Sequence, residues 1–383
     1  MGSRRRYEAS ELAAVRSAGQ LLHRPRDASH PVAVAEALCG VQSQDLRHGR
    51  LALRARVAGL TAPGVEYERS TERSLLHTWA MRLTLHLVAT EDAPWLLPLF
   101  QPRIEAFAER RLAQLGLDSR GQDRAMRVMG KALAGEGQCS RARLQEHLES
   151  AGIELKPMVR NHLIGLAVAR GIGCFGPLEG GRPLVVAASE WLPATVPVPR
   201  AAGLAELARR YIGAFGPATD RDFAKWSGLP LGDVRAGLKA IGGELREVRV
   251  GETPAWAHRR PRRRPRRSVV RLLPAWDTYL MGYPDRSFLA EPGRWRRISD
   301  GGGGIAPVIS VDGIARGIWR PGRRDEPIAA EAMPFEELDR DTAAAVEAEI
   351  ADIARFEAQE TGMARRGRGR QGVHTARATP ARR

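Results

Sequence analysis

Cysteine is scarce in this 383-residue sequence: it occurs three times, at Cys39, Cys139 and Cys174. The three lie far apart, and none belongs to a CxxC pair or to a Cys/His pattern with the spacing of zinc ligands. A small, odd number of separated cysteines is typical of a reducing compartment. We therefore expect no structural metal site.

Long apolar runs are also absent. No stretch reaches the roughly 18 apolar residues that a membrane-spanning helix requires. The chain begins with a basic cluster at residues 4–6, but Glu8, Glu11 and Arg16 interrupt any apolar region that could act as a signal peptide. The sequence therefore predicts a soluble cytoplasmic protein with no membrane partner.

Lysine is also scarce: the sequence contains four lysines and 56 arginines. A GC-rich coding bias explains this preference at least as well as phosphate recognition does. The net charge of +16 nevertheless favours an anionic partner. Acidic residues are missing from segments 258–267 and 364–383, which carry seven arginines each, and the rest of the chain has a net charge of only +2.

The most informative stretch is residues 40–50, GVQSQDLRHGR, between two apolar helix-like runs. Gln42 and Gln44 are separated by one residue. In an extended chain this spacing places both amides on the same face, whereas at a helix start they diverge but can share a pocket mouth. A glutamine holds water through its carbonyl oxygen and donates through its NH2 group. The pattern suggests a site that orders water beside a phosphate-bearing substrate; the alternative is a solvated turn.

Helical and strand patterns recur in the same order along the chain. Apolar residues at helical spacing precede short runs at 76–88, 174–186 and 245–258, each typical of a β-hairpin. Ser140 can cap a helix before the second hairpin, and Thr219 or Asp220 can cap one before the third. The sequence therefore predicts an α+β fold of three tandem winged helix-turn-helix units with small β-hairpin wings, followed by a C-terminal β/helix segment.

The predicted units have definite boundaries. Unit 1 with the glutamine motif is placed at 8–104, unit 2 at 105–200, and unit 3 with the C-terminal strands and a final helix (339–356) at 201–356. Residues 363–383 are rich in arginine and glycine and are predicted to form a disordered basic tail. Winged helices bind nucleic acid or act as protein-interaction modules, and the positive charge favours nucleic acid.

Several segments together resemble the AlkZ-like DNA glycosylases, a family built of winged-helix repeats. They are GVQSQ at 40–44, TWAMR at 78–82, TLHLV at 84–88, LPAWDTY at 273–279, DG at 312–313 and GIWR at 317–320, within a resemblance that covers most of 8–356. The family's catalytic element is a Gln-x-Gln or Gln-x-Asp motif, which Gln42 and Gln44 match. One departure is Leu83, where the family pattern has glycine between two strands.

The resemblance implies removal of alkylated purines, above all N7-alkylguanine adducts and interstrand crosslinks made by genotoxic natural products, with self-resistance as one role. An N7-alkylguanine is already cationic, so its glycosidic bond is weak and the leaving base needs little protonation. The site must then position a water and tolerate an oxocarbenium-like sugar, which the amide oxygens of Gln42 and Gln44 suit. Asp45 would be the better base if it pointed inward, but helix capping before Leu46 is favoured.

Candidate DNA contacts lie near the motif and in the arginine-rich segment. Those near the motif could equally be ordinary surface residues, and segment 258–267 could clamp the duplex or be a linker kept extended by its prolines. A bulky adduct does not fit easily into a small pocket, so base flipping is not required. The candidates are Arg47, Arg50, Arg82, His86, Arg262, Arg263 and Arg264.

Three functions compete. The first is a monofunctional DNA glycosylase that acts on double-stranded DNA with alkylated bases, as a monomer and without a cofactor. No lysine lies near the motif, which disfavours a Schiff-base lyase step. The second is a non-catalytic winged-helix transcriptional regulator, and the third is a protein that sequesters a toxin. The intact Gln-x-Gln motif favours the enzyme.

Overall fold

The computed structural model describes residues 5–23, 30–153, 156–193, 196–259, 268–322 and 330–368, which form a mixed α+β fold, as predicted. The helices are α1 (Ala9–Gly19), α2 (Pro31–Leu38), α3 (Leu46–Arg54), α4 (Ala62–Ser70), α5 (Ala93–Gln114), α6 (Ser119–Glu136), α7 (Arg141–Ser150), α8 (Pro157–Ala169), α9 (Ala188–Trp191), α10 (Arg200–Phe215), α11 (Asp220–Ser227), α12 (Leu231–Ala240), α13 (Thr278–Met281), α14 (Pro292–Ile298) and α15 (Arg340–Arg368).

The strands form three sheets. They are β1 (Arg6–Tyr7), β2 (Val41–Gln42), β3 (Leu75–Trp79), β4 (Leu85–Ala89), β5 (Gln138–Cys139), β6 (Gly173–Glu179), β7 (Arg182–Ala187), β8 (Leu245–Val250), β9 (Thr253–His258), β10 (Val270–Leu273), β11 (Val308–Val311), β12 (Ile314–Pro321) and β13 (Ala330–Pro334). Within the described ranges, no helix is long and apolar enough to cross a membrane.

The hairpins β3–β4 and β6–β7 belong to one six-stranded sheet with the order β2-β4-β3-β6-β7-β5. Strand β3 pairs antiparallel with both β4 and β6, so that His77 lies opposite Leu87 on one side and Phe175 on the other. The short strand β2 extends this sheet beyond β4 and forms its edge. The glutamine motif is therefore at the edge of a sheet that predicted units 1 and 2 share.

The two remaining sheets are smaller. The third predicted hairpin, β8–β9, pairs with β1 in parallel, and β10 to β13 form an antiparallel C-terminal sheet. Buried apolar side chains form two clusters. The larger joins the N-terminal helices to α10–α12 and the C-terminal sheet, with Tyr211 stacked on Phe223 at a centroid distance of 4.4 Å, and the smaller lies among α5–α8 and β6–β7.

Capping side chains begin several helices at the positions predicted. Thr219 and Asp222 form a reciprocal capping box at the start of α11, which satisfies two backbone N–H groups that the helix leaves unpaired. Ser140 caps α7 by accepting a hydrogen bond from the Arg143 N–H at 3.1 Å. These two helix starts follow from local sequence alone.

All three predicted hairpins are present, and each is preceded by helices. The helices α6 and α10 were not predicted, and α15 continues beyond the predicted end at residue 356 to Arg368. The division into three winged-helix units and their boundaries remain predictions. The candidate contacts Arg262, Arg263 and Arg264 and residues 369–383 of the predicted tail lie outside the described residues.

Candidate functional site

The backbone before the motif turns sharply. Cys39 ends α2 in the left-handed conformation with φ 54°, and Gly40 follows with φ 101°. A Cβ atom on Gly40 would lie 2.8 Å from Val88 Cγ1 and 3.0 Å from the Leu87 carbonyl oxygen, closer than packed atoms tolerate. Glycine is therefore needed for β2 to lie directly against β4.

Gln42 is the buried member of the glutamine pair. It lies opposite His86 on β4, and His86 in turn lies opposite Thr78 on β3, so the three residues form a row across the sheet. Its side chain is only 8% exposed. The Arg82 Nη2 atom donates a hydrogen bond of 2.6 Å to the Gln42 Oε1 atom. Because a guanidinium only donates, this contact fixes which end of the amide faces Arg82.

Arg82 lies in the turn between β3 and β4. Arg82 and Leu83 have φ values of 53° and 62°, a left-handed conformation that is costly for large side chains. The hairpin closes nonetheless, with the Ala80 N–H donating to the Thr84 carbonyl at 3.0 Å. The glycine of the family pattern is thus not required for this turn, and Leu83 adopts the conformation that glycine would take without strain.

The charge of Arg82 has neutral partners among the described residues: Gln42 Oε1 and the carbonyl oxygen of Trp226 at the end of α11. Burial and, to a smaller extent, repulsion from Arg286 lower the pKa of Arg82 to about 10. The side chain still carries its proton at neutral pH. Its charge lies directly behind the Gln42 amide.

Gln44 is exposed at the end of β2. Its Oε1 atom accepts a hydrogen bond of 3.1 Å from the Leu85 N–H, next to a backbone bond of 2.7 Å from the Ser43 N–H to the Leu85 carbonyl. Both glutamine oxygens therefore accept one hydrogen bond from the protein. A carbonyl oxygen has two lone pairs, so each amide can still hold a water, and each has an NH2 group to donate.

Asp45 caps α3, as the sequence predicted. Its Oδ1 atom accepts from the Arg47 N–H at 2.8 Å and from the His48 N–H at 3.3 Å. The carboxylate is thereby directed to the helix start. This geometry disfavours Asp45 as the base of the site.

Two neutral histidines lie beside the motif. Burial lowers the pKa of both His77 and His86 to about 3. His86 Nδ1 is 2.9 Å from the Thr84 carbonyl oxygen and His77 Nε2 is 2.9 Å from that of Ser43; a carbonyl only accepts, so these nitrogens carry the protons. At neutral pH neither histidine serves as a cationic acid.

The two other arginines predicted near the motif, Arg47 and Arg50, lie on α3. Arg47 forms a two-point ion pair with Glu357 of α15, at 2.6 and 2.8 Å, and donates to the Gly322 carbonyl at 3.0 Å. Arg50 is buried. One turn further, the buried Arg54 pairs with Glu349 at 2.6 Å. The structure thus brings Gln42, Gln44, Arg82 and His86 together, whereas Arg47 joins α3 to the C-terminal helix.

A cavity that was not predicted from the sequence lies beside Arg82. This cavity, of about 300 Å³, is lined by Arg82 and Leu83 of the turn, Phe100 and Arg103 of α5, and Lys225 of α11, among others. Lys225 therefore shares a cavity with Arg82, the residue that contacts Gln42, although no lysine is near the motif in sequence. No local pattern could have revealed this, because the lining residues come from three separate segments.

One group of possible metal ligands comes together in the described part of the chain. Glu136, Cys139 and His147 have ligand atoms within 4.8 Å of one another. Arg143 donates to both carboxylate oxygens of Glu136, and together with His147 it lowers the pKa of that carboxyl to about 2. Both oxygens of the Glu136 carboxylate are therefore already paired with Arg143. The three possible ligands are also remote in sequence from the glutamine motif.

The site is therefore made of neutral amides with a guanidinium behind them. It has the means to hold a water and to donate hydrogen bonds, but the histidines that flank it are neutral. Such a site suits hydrolysis in which the leaving group departs without a strong acid.

Comparisons with known proteins show which family the chain belongs to. The family model described as "DNA glycosylase AlkZ-like" matches residues 35–356. The chain is 28% identical over 364 residues to an interstrand DNA cross-link repair glycosylase of Streptomyces sahachiroi, covering 86% of this chain and 92% of that protein. The solved structure of Streptomyces sahachiroi DNA glycosylase AlkZ superposes with a TM-score of 0.74 and 25% identity over 92% of this chain and 97% of that one.

The protein is thus an enzyme that acts on DNA, a DNA glycosylase. More narrowly, the chain belongs to the AlkZ-like DNA glycosylase family, which confirms the resemblance drawn from the sequence motifs.

Proposed function

We propose that this protein is a monofunctional glycosylase that hydrolyses the N-glycosidic bond of alkylated purines in double-stranded DNA. Its proposed substrates are N7-alkylguanine adducts and interstrand crosslinks. The observation that carries the proposal is the pair Gln42 and Gln44, whose amides are held at a sheet edge by Arg82 and by the Leu85 N–H. The name of the Streptomyces relative, which refers to interstrand cross-link repair, supports the crosslink as a substrate.

The chemistry requires no strong acid. When the bond between C1′ and N9 breaks, its electron pair moves to the base and cancels the positive charge of the N7-alkylated ring. A water then forms the new C1′–O bond and releases its proton to solvent. Gln42 and Gln44 orient that water and stabilise the oxocarbenium-like sugar through their carbonyl dipoles. His77 and His86 remain neutral, with pKa values of about 3, and do not enter the proton transfer.

The test is base release from duplex DNA that carries a single N7-methylguanine, and in parallel from a crosslinked duplex. We compare the wild type with the double variant Gln42→Ala/Gln44→Ala. The matched control is Gln138→Ala, because Gln138 is exposed on β5 at the opposite edge of the same sheet. Melting of each variant is measured first, since Gln42 is buried.

We expect the wild type and the control to release base and the double variant to be slower by about a hundredfold or more, with DNA affinity retained. Full release by the double variant would refute the assignment of the glutamines. No release from either substrate by the wild type would refute the substrate class. Borohydride trapping of a covalent enzyme–DNA adduct would refute the monofunctional mechanism. Lys225 would then be the first residue to test as the Schiff-base amine.

The proposal extends to the biological setting. An enzyme of this kind, acting as a monomer, would protect a bacterium from its own genotoxic product. Expression in a bacterium sensitive to a DNA-crosslinking natural product should raise survival, and the Gln42→Ala/Gln44→Ala variant should not.

A further inference from the structure

The cavity beside Arg82 has an unusual charge. Three cations line it: Arg82 of the turn, Arg103 of α5 and Lys225 of α11. Among the described residues that line it there is no carboxylate. The other lining side chains are apolar or small, such as Leu83, Phe100 and Ser227. The cavity therefore has a positive potential with no internal counter-charge.

Arg82 accounts for the innermost part of this charge. Its hydrogen-bond partners, Gln42 Oε1 and the Trp226 carbonyl, are neutral, and the nearby Arg286 repels it. A cation removed from water is stabilised only by hydrogen bonds or by an anion. An anion entering the cavity would supply the missing counter-charge.

Arg103 and Lys225 form two walls of the same cavity, and both are exposed. Arg170, by contrast, is neutralised, because it pairs with Glu105, Glu109 and Asp123 at 2.7 to 2.9 Å. Glu105 lies only two residues from Arg103, yet it is directed to Arg170. Arg103 and Lys225 are thus exposed in a cavity that Arg82, the hydrogen-bond partner of Gln42, also lines.

We propose that this cavity binds a backbone phosphate of the DNA, with Arg103 and Lys225 donating to the phosphate oxygens. The identity of the anion rests on the proposed function, because the duplex is the polyanion on which a DNA glycosylase acts. Arg82 separates the two sites: its guanidinium contacts Gln42 and its side chain lines the cavity. The phosphate contact sets the register of the duplex, so that the damaged nucleotide reaches the glutamines.

The experiment measures duplex affinity for the double variant Arg103→Gln/Lys225→Gln. The matched control is Arg120→Gln/Lys131→Gln, which removes two exposed cations from α6. Each protein is titrated with undamaged DNA and with DNA carrying N7-methylguanine, at several salt concentrations between about 50 and 200 mM. All four substituted side chains are exposed, so folding is expected to be preserved and is checked by melting.

We expect the cavity variant to bind both duplexes more weakly, by about tenfold or more, because the hydrogen bonds from two cations to a charged phosphate are lost while no base contact changes. The slope of log K against log salt should fall by about one unit. The control should keep the affinity and the slope of the wild type. Arg103→Lys, which retains the charge, should bind more tightly than Arg103→Gln.

An unchanged affinity and salt slope in the cavity variant would overturn the phosphate site, whatever the base-release assay shows. The two proposals fail separately. Base release with unaltered binding in the cavity variant would leave the glycosylase and remove the phosphate site. Weakened binding in the cavity variant of a protein that releases no base would leave the phosphate site and remove the substrate class.

Discussion

Arg82 offers the sharpest test of how the glutamines are positioned. In the structure its Nη2 atom donates a short hydrogen bond of 2.6 Å to Gln42 Oε1. The variant Arg82→Met keeps most of the apolar stem and removes the guanidinium. The amide of Gln42 then loses the contact that selects its orientation.

The size of the effect follows from this contact. A hydrogen bond to a charged group contributes about 1.5–3 kcal/mol. If all of it serves to hold Gln42 in its reactive orientation, loss of the bond slows base release by about tenfold to a hundredfold. Single-turnover base release at saturating enzyme isolates this step from DNA binding, which is measured separately by fluorescence anisotropy.

A different result would contradict the reasoning. If Arg82 acts only as a DNA contact, Arg82→Met should weaken binding and reduce its salt dependence while the rate of the saturated complex stays unchanged. Arg82→Lys is the informative companion, since an ammonium can donate one bond to Gln42 but lacks the planar fork that also reaches the Trp226 carbonyl. We expect its rate to lie between those of the wild type and Arg82→Met.

Two further predictions concern stability. Asp277→Asn should lower the free energy of unfolding by about 3–5 kcal/mol, because Asp277 and Arg56 form a two-point ion pair at 2.8 Å with both side chains fully buried. Glu252→Gln, in an exposed ion pair, should lower it by less than about 1 kcal/mol. Equal effects of the two substitutions in urea unfolding would refute this prediction. Stability should also fall as the pH drops below about 6.5, since the folded pKa values of His77 and His86 are about 3 and the unfolded chain therefore binds more protons between these limits. The slope should reach up to about 1.4 kcal/mol per pH unit for each histidine, and a flat profile from pH 7.5 to 5.5 would contradict the burial of these rings.

Local features of the fold were predictable from the sequence. The starts of α7 and α11 follow from Ser140 and Thr219, whose side chains satisfy N–H groups within the same turn. The cap formed by Asp45 and the hairpin flanking Leu83 depend likewise on neighbours a few residues away. Each of these contacts is decided by residue type and spacing, which the sequence shows directly.

Long-range pairings were not predictable in the same way. The edge of β3 meets β6 rather than solvent, so the first two hairpins join in one sheet. The sequence of a strand does not indicate which other strand it will pair with, because the hydrogen bonds between strands are made by backbone groups. The helix α10 was missed, and so was the proximity of Lys225 to Arg82, which depends on how α11 meets the hairpin turn.

The candidate site shows the same division. The motif itself was recognisable, and its two glutamines do lie at one place on the sheet edge. The sequence could not show which atom of each amide is free to bind water, because that depends on the hydrogen bonds from Arg82 and from the Leu85 N–H. The contact of Arg47 with Glu357 was equally hidden from the sequence, because the two residues are 310 positions apart.

The attachment of α3 to α15 also has a consequence for biosynthesis. The helix that follows the glutamine motif is held by Glu349 and Glu357, which leave the ribosome long after Arg54 and Arg47. At about 5–20 residues per second, a gap of 310 residues corresponds to roughly 15–60 seconds of translation. During that interval the nascent chain already contains both glutamines but not the acidic partners of their supporting helix. The ion pairs that hold α3 therefore form only after α15 has been synthesised.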